Sequence, residues 1–189
     1  MYYKKLLSIV FVSLAVIFIT GCVSGDAGSN SEKTKAEVVE EISLAEKNLY
    51  GDKSNLEFDK VKAQDLVETY NSFTGKFSDD PLSAGYLFKT AEVLRSLKKF
   101  NEAVSVYSKI VKDYPNFDKV PHSLFLKGFS HENDLKNLDQ ARVAYQDFLK
   151  LFPDHELADD VQFSLDNLGK SPEEIIQEFE KKRKENEGK

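Results

Sequence analysis

From Thr34 onward the apolar residues recur at spacings of three and four, the period of a helix with one buried face. No stretch alternates convincingly with period two, so the pattern predicts helices and essentially no sheet. Ala36, Val39, Ile42, Leu44 and Leu49 outline a first helix, closed by Tyr50-Gly51-Asp52. Ser54-x-x-Glu57 has the form of a capping box for a second helix carrying Phe58, Val61, Leu66, Val67 and Tyr70, with a break at Thr74 to Pro81. A third helix, Leu82 to about Leu97, directs Tyr86, Leu87, Thr90, Ala91 and Leu94 inward. The fourth, about Asn101 to Asp113, stops at Tyr114-Pro115, because a residue before proline is pushed out of the helical region. The fifth runs from about Lys119 to Glu132 and the sixth from about Asp139 to Leu151. A seventh carries Leu157, Ala158, Val161, Leu165 and Leu168 up to a glycine cap at Gly169, and Ser171-Pro172-Glu173-Glu174 opens an eighth.

Two of these segments repeat one another. Phe100 to Pro115 and Leu138 to Pro153 share Ala103/Ala141, Tyr107/Tyr145, Lys112/Lys150 and Pro115/Pro153, each pair separated by 38 residues. A period of that size is the mark of stacked helical units, each too small to bury its own apolar face. Helices three and four resemble a tetratricopeptide repeat. Leu87, Thr90, Ala91 and Leu94 stand at the consensus positions of its first helix, and Ala103, Tyr107, Ile110 and Pro115 at those of its second. Leu124, Gly128 and His131, with Ala141, Tyr145, Phe148 and Pro153, make a second unit with a longer turn at Asn133 to Asn137 and Lys127 at a position that is usually apolar. Glu37 to Tyr70, with Ala63, Val67 and Tyr70, is a weaker preceding unit, and Asp154 to Lys184 a degenerate following one. The resemblance implies an all-α, right-handed solenoid of about eight helices in three to four pairs. Its units divide as 34–81, 82–115, 116–153 and 154–189.

Met1 to Cys22 differs from all that follows. Lys4 and Lys5 precede an apolar run, Leu6 to Ile19, and small residues follow it, which is the layout of a secretory signal. Fourteen residues span about 21 Å as a helix, short of a roughly 30 Å hydrocarbon core, so the run is expected to be cleaved at 1–21 and not to be retained as a span. Ile19-Thr20-Gly21-Cys22 resembles the bacterial lipobox, which implies lipidation of Cys22, the single cysteine of the chain. Residues 22–33, rich in Gly, Ser, Asp and Asn, then form a flexible tether. Several acyl chains anchor stably where one is marginal. Val23 in place of aspartate after the lipidated cysteine weakly favours the outer membrane, on the enterobacterial sorting pattern.

Charge narrows the partners. The formal charge of −6 becomes about −8 once Lys4 and Lys5 are removed, so a broad phosphate-binding surface is not expected and no nucleic acid is implied. No catalytic set, cofactor or metal site emerges. His122, His131 and His155 show no metal-ligand spacing, and no nucleophile elbow or phosphate loop is present. Asp79-Asp80 and Asp159-Asp160 stand beside helix starts, where acids favour the positive end of the dipole. Lys181 to Lys184 reads as C-terminal helix charge and a solvated tail. If the repeat register holds, Phe88, Glu92 and Arg95 of helix three and His122, Phe125, Phe129 and Glu132 of helix five face a concave groove suited to a peptide or a partner's helix. A one-residue shift of register would instead make the three phenylalanines core.

The lipobox, tether and repeats together are similar to the BamD (ComL) outer-membrane assembly lipoproteins, and the repeats also resemble the C-terminal domain of the Tol-Pal-associated CpoB (YbgF) family. These resemblances imply a non-enzymatic, lipid-anchored periplasmic adaptor. Its partners would be barrel-assembly subunits or client peptides, or alternatively the division and peptidoglycan machinery. A ligand-capturing surface lipoprotein is a third possibility, and it would require a closed polar pocket.

Overall fold

The computed structural model describes residues 32–51 and 58–187, apart from the side chain of Asn186. The signal segment, Ile19, Thr20, Gly21, Cys22 and most of the expected tether lie outside these residues, as do Ser54 and Glu57. The chain divides into Met1–Glu32 and a compact unit, Lys33–Lys189, which carries every described helix. Those helices are α1 (Lys35–Tyr50), α2 (Lys60–Lys76), α3 (Pro81–Ser96), α4 (Phe100–Asp113), α5 (Val120–Phe129), α6 (Leu138–Leu151), α7 (Ala158–Asp166) and α8 (Pro172–Glu187). A five-residue π-helical turn, Ser130–Asp134, follows α5, and no strand occurs among the described residues. From α1 to α7 each helix packs on the next, as expected of an all-α, tetratricopeptide-like helical solenoid.

Local chemistry sets most helix ends. Thr34 and Glu37 form a reciprocal capping box at α1, the Thr34 amide donating to Glu37 Oε2 at 2.6 Å. The second helix starts later than its sequence suggests. Asp59, directly before α2, accepts from the amides of Val61 and Lys62 at 3.0 Å, so the cap is an aspartate and not the Ser54 hydroxyl. Phe58 and Val61 are consequently exposed, not buried. Asp80 caps α3 with Pro81 at its first position, and Lys35 of α1 pairs with the same Asp80 carboxylate.

The inner face of α1 also differs from expectation. Val38 and Ile42 are buried, whereas Ala36 and Leu44 point to solvent. In α4 the buried set is Ala103, Tyr107 and Ile110, and in α6 it is Ala141, Ala144, Tyr145 and Phe148. Both follow the helical period and use alanine where a neighbouring helix crosses closely. The α2, α4 and α6 helices end alike, on Phe77, Tyr114 and Phe152, with φ from −122° to −135° and ψ from 48° to 56°. Each of these aromatic residues donates its amide to the residue four positions back, so α2 occupies the same structural role as the two matched helices. Leu66, 37 residues before Ala103, takes the alanine's place there, and Ala63 lies a turn earlier.

The two central units are not related by one constant offset. Their first helices align at 37 residues (Leu87/Leu124, Ala91/Gly128, Leu94/His131) and their second helices at 38 (Tyr107/Tyr145). The π-helical turn absorbs the extra residue, because such a turn holds one more residue than α-helical geometry allows. In the first unit the Lys99 amide donates back to the Leu94 carbonyl. In the second, the equivalent Asn137 amide reaches the His131 carbonyl, one residue further. Both connections pass through a lysine in the left-handed region, Lys98 at φ 60° and Lys136 at φ 54°.

Candidate functional site

Helix α3, helix α5 and the π-helical turn bring several of the expected groove residues together. Arg95, near the end of α3, lies with its guanidinium 5.2 Å from the centre of the Phe129 ring, a cation–π arrangement linking one unit to the next. Its Nη2 is 3.6 Å from Asp134 Oδ2 in the π-helical turn. Phe129 packs on Phe125 at 6.2 Å, and Phe125 packs on Tyr145 of α6 at 6.3 Å. Glu132 accepts a hydrogen bond from the Tyr145 hydroxyl at 2.8 Å. Arg95, Phe125, Phe129 and Glu132 therefore form one partly exposed patch in which aromatic surface is bordered by both signs of charge. Glu92, on α3 one turn before Arg95, is solvent-exposed.

Two expected groove residues lie elsewhere. Phe88 is only 6% exposed and packs edge-on against Tyr107 and Phe117 at 6.1 and 6.5 Å, with the Lys119 ammonium 4.8 Å from its ring centre. It belongs to the core between α3 and α4. His122 lies at the opposite end of α5 from Phe129, its ring edge-on to His155 at 5.6 Å. His155 accepts the Leu157 amide on Nδ1 and also packs on Phe148 at 5.7 Å, so this pair belongs to the α5–α6–α7 packing. Among the described residues no group of three or more His, Cys, Asp or Glu side chains could hold a metal ion. Asp79-Asp80 and Asp159-Asp160 lie at the starts of α3 and α7.

The tyrosine hydroxyls are a feature that sequence reasoning missed. Tyr70, Tyr107 and Tyr145 occupy equivalent places in α2, α4 and α6. All three rings are buried, but two hydroxyls reach across to a first helix or its extension. Tyr70 donates to Glu46 at 2.7 Å and Tyr145 to Glu132 at 2.8 Å. Burial and the carboxylate partner push both tyrosines far above the usual range, so each stays protonated and donates. Burial opposes ionisation of Glu46. Hydrogen bonds from Lys89 and Tyr70 outweigh that, and its carboxyl is held below the usual glutamate range. Glu46 thereby ties α1 to both α2 and α3.

Tyr107 differs from the other two. Its hydroxyl is buried without a hydrogen bond, and desolvation pushes it up to about 12 despite the nearby positive charge of Arg95. Arg95 Nε, Ser130 Oγ and His131 Nδ1 are likewise buried without a hydrogen bond, and Asp134 Oδ2 has only its ion pair with Arg95. Burial, then the charge of Lys127, holds His131 below the ordinary histidine range, which favours its neutral form. The π-helical turn thus brings polar groups into a place where the preceding unit has Leu94. That a carboxylate one residue beyond the first-helix consensus would accept from a tyrosine was visible only as a glutamate at position 132.

Gly128 shows how closely the second unit is packed. A Cβ built there would come within 2.5 Å of Tyr145 Cε1, so only glycine allows α5 to lie against the tyrosine ring. No helix among the described residues is long and apolar enough to cross a membrane.

No curated protein matches the sequence. Residues 86–116 and 122–155 match the family of the tetratricopeptide repeat. These segments coincide with α3–α4 and α5–α6, the two units linked by Arg95 and the π-helical turn, so in sequence as in packing they are similar to tetratricopeptide repeats.

Proposed function

We propose that the chain is a non-enzymatic adaptor that holds a protein partner on the α3–α5 face near a bacterial outer membrane, to which Cys22 ties it by lipid. The observation that carries this reading is the pair of tetratricopeptide segments at 86–116 and 122–155, whose exposed patch joins Phe125 and Phe129 to Arg95 and Glu132. Repeats of this kind generally serve protein–protein contact, and an aromatic patch bordered by charge supplies both anchorage and orientation. The lipobox-like Ile19-Thr20-Gly21-Cys22 supports the anchor.

The specific role proposed is in assembly of outer-membrane barrels, on the sequence resemblance to the BamD lipoproteins. Affinity purification of the native protein from membranes is then expected to recover a barrel-assembly subunit. Loss of the gene is expected to lower the level of folded barrels. Recovery of Tol components or a peptidoglycan synthase, with barrel levels unchanged, would overturn that role in favour of the division machinery. Labelling with radioactive palmitate tests the anchor separately. Wild-type protein is expected to take up label and Cys22→Ala none; an unlabelled wild type removes the anchor from the account.

A further inference from the structure

Helix α8 is anomalous for a solenoid end. Sixteen residues long, it buries none of its described side chains, and Ile176 and Phe179 are 57% and 56% exposed. Its attachment to the preceding chain is slender. Phe179 stacks on Phe163 of α7 at 6.2 Å, Lys170 pairs with Glu178 at 2.8 Å, and a cleft of about 420 Å³ lies between the two helices. A helix of this length without a packed face is marginal in water. Besides these contacts it has only local support, the Ser171/Glu174 cap and an exposed Arg183–Glu187 pair at 3.7 Å.

The charge order along α8 indicates what covers it. Residues 173–180 contain four glutamates and no base, and residues 181–184 are four bases. Helical periodicity sets Ile176, Phe179 and Arg183 in one stripe, bordered by Glu173, Glu180 and Lys184. The side carrying Ile175, Glu178, Phe179 and Lys182 lines the cleft with α7, so Ile176 and Arg183 lie toward the other side, and Phe179, 56% exposed, stands between the two.

We propose that α8 pairs antiparallel with the α8 of a second copy of this chain. Antiparallel pairing with Glu173 opposite Lys184 twice sets residues 173–176 of each helix against the four bases 181–184 of the other. Ile176 and Phe179 of the two copies meet near the centre, with the Arg183 stem lying along the partner's Ile176. Parallel pairing would set base against base. The antiparallel contact is isologous, so it closes a two-fold dimer and leaves no end free for further addition.

The test is sedimentation velocity of the full chain in density-matched detergent, with circular dichroism to confirm that each variant is folded. Wild type is expected to be a dimer at low salt that dissociates as salt rises. Glu173→Lys, and separately Lys184→Glu, are each expected to weaken association roughly tenfold or more. An equimolar mixture of the two variants is expected to restore the dimer. Ile176→Asp is expected to abolish it without restoration by either partner. A wild type that is monomeric at every concentration overturns the proposal, as does a dimer indifferent to both charge reversals.

Discussion

At the scale of single residues, stability turns on the close approach at Gly128 and on the buried hydroxyls of the three tyrosines. Gly128→Ala forces a methyl group against Tyr145, and overpacking of a fixed ring costs about 1–3 kcal/mol. The melting temperature is expected to fall by several degrees; an unchanged value would mean that α5 and α6 are not held this close. The tyrosines should respond oppositely to loss of the hydroxyl. Tyr145→Phe removes a hydrogen bond to Glu132 and is expected to cost about 1 kcal/mol in chemical denaturation. Tyr107→Phe removes a buried hydroxyl without a hydrogen bond and is expected to leave stability unchanged or raised. Lys98 and Lys136 hold left-handed backbone that glycine adopts freely, so Lys136→Gly is expected to raise stability by about 0.5–1 kcal/mol.

At the scale of elements, α1, α2 and α3 are joined through the carboxylate of Glu46. Its folded-state pKa is held below that of the unfolded chain, so the stability it contributes is present at neutral pH and is lost as pH falls through the folded value. Glu46→Gln is accordingly expected to unfold at lower denaturant than wild type near neutrality, with the difference shrinking on acidification below the ordinary glutamate range. A difference constant with pH would contradict the linkage.

Periodicity located these helices well, because each buries one face and proline or an aromatic cap closes it. It was weaker where local chemistry competes. Asp59 displaced the Ser54-based start of α2, and Val38 displaced Ala36 and Leu44 on the inner face of α1. The π-helical turn has no signature in hydrophobic pattern, since its extra residue shows only when first and second helices are aligned separately, at 37 and 38 residues. That shift moved Asp134 to Arg95 and Glu132 to Tyr145, contacts that single-helix registers do not reveal. Phe88 fell into the core for another reason: α3 buries Leu87, Thr90, Ala91 and Leu94 as expected, and its buried face is wide enough to press Phe88 against Tyr107 and Phe117 as well.

At the scale of the whole molecule, the central claim is that a protein partner occupies the exposed face of α3 and α5, while the second helices form the back. Glu92 and Phe125 mark that face, and Val143, 47% exposed on α6, marks the back. The direct measurement is photo-crosslinking in native membranes from a reactive amino acid placed at each of these three positions in turn. Positions 92 and 125 are expected to capture a barrel-assembly subunit and position 143 none. Capture of that subunit from position 143, with none from 92 or 125, would contradict the account.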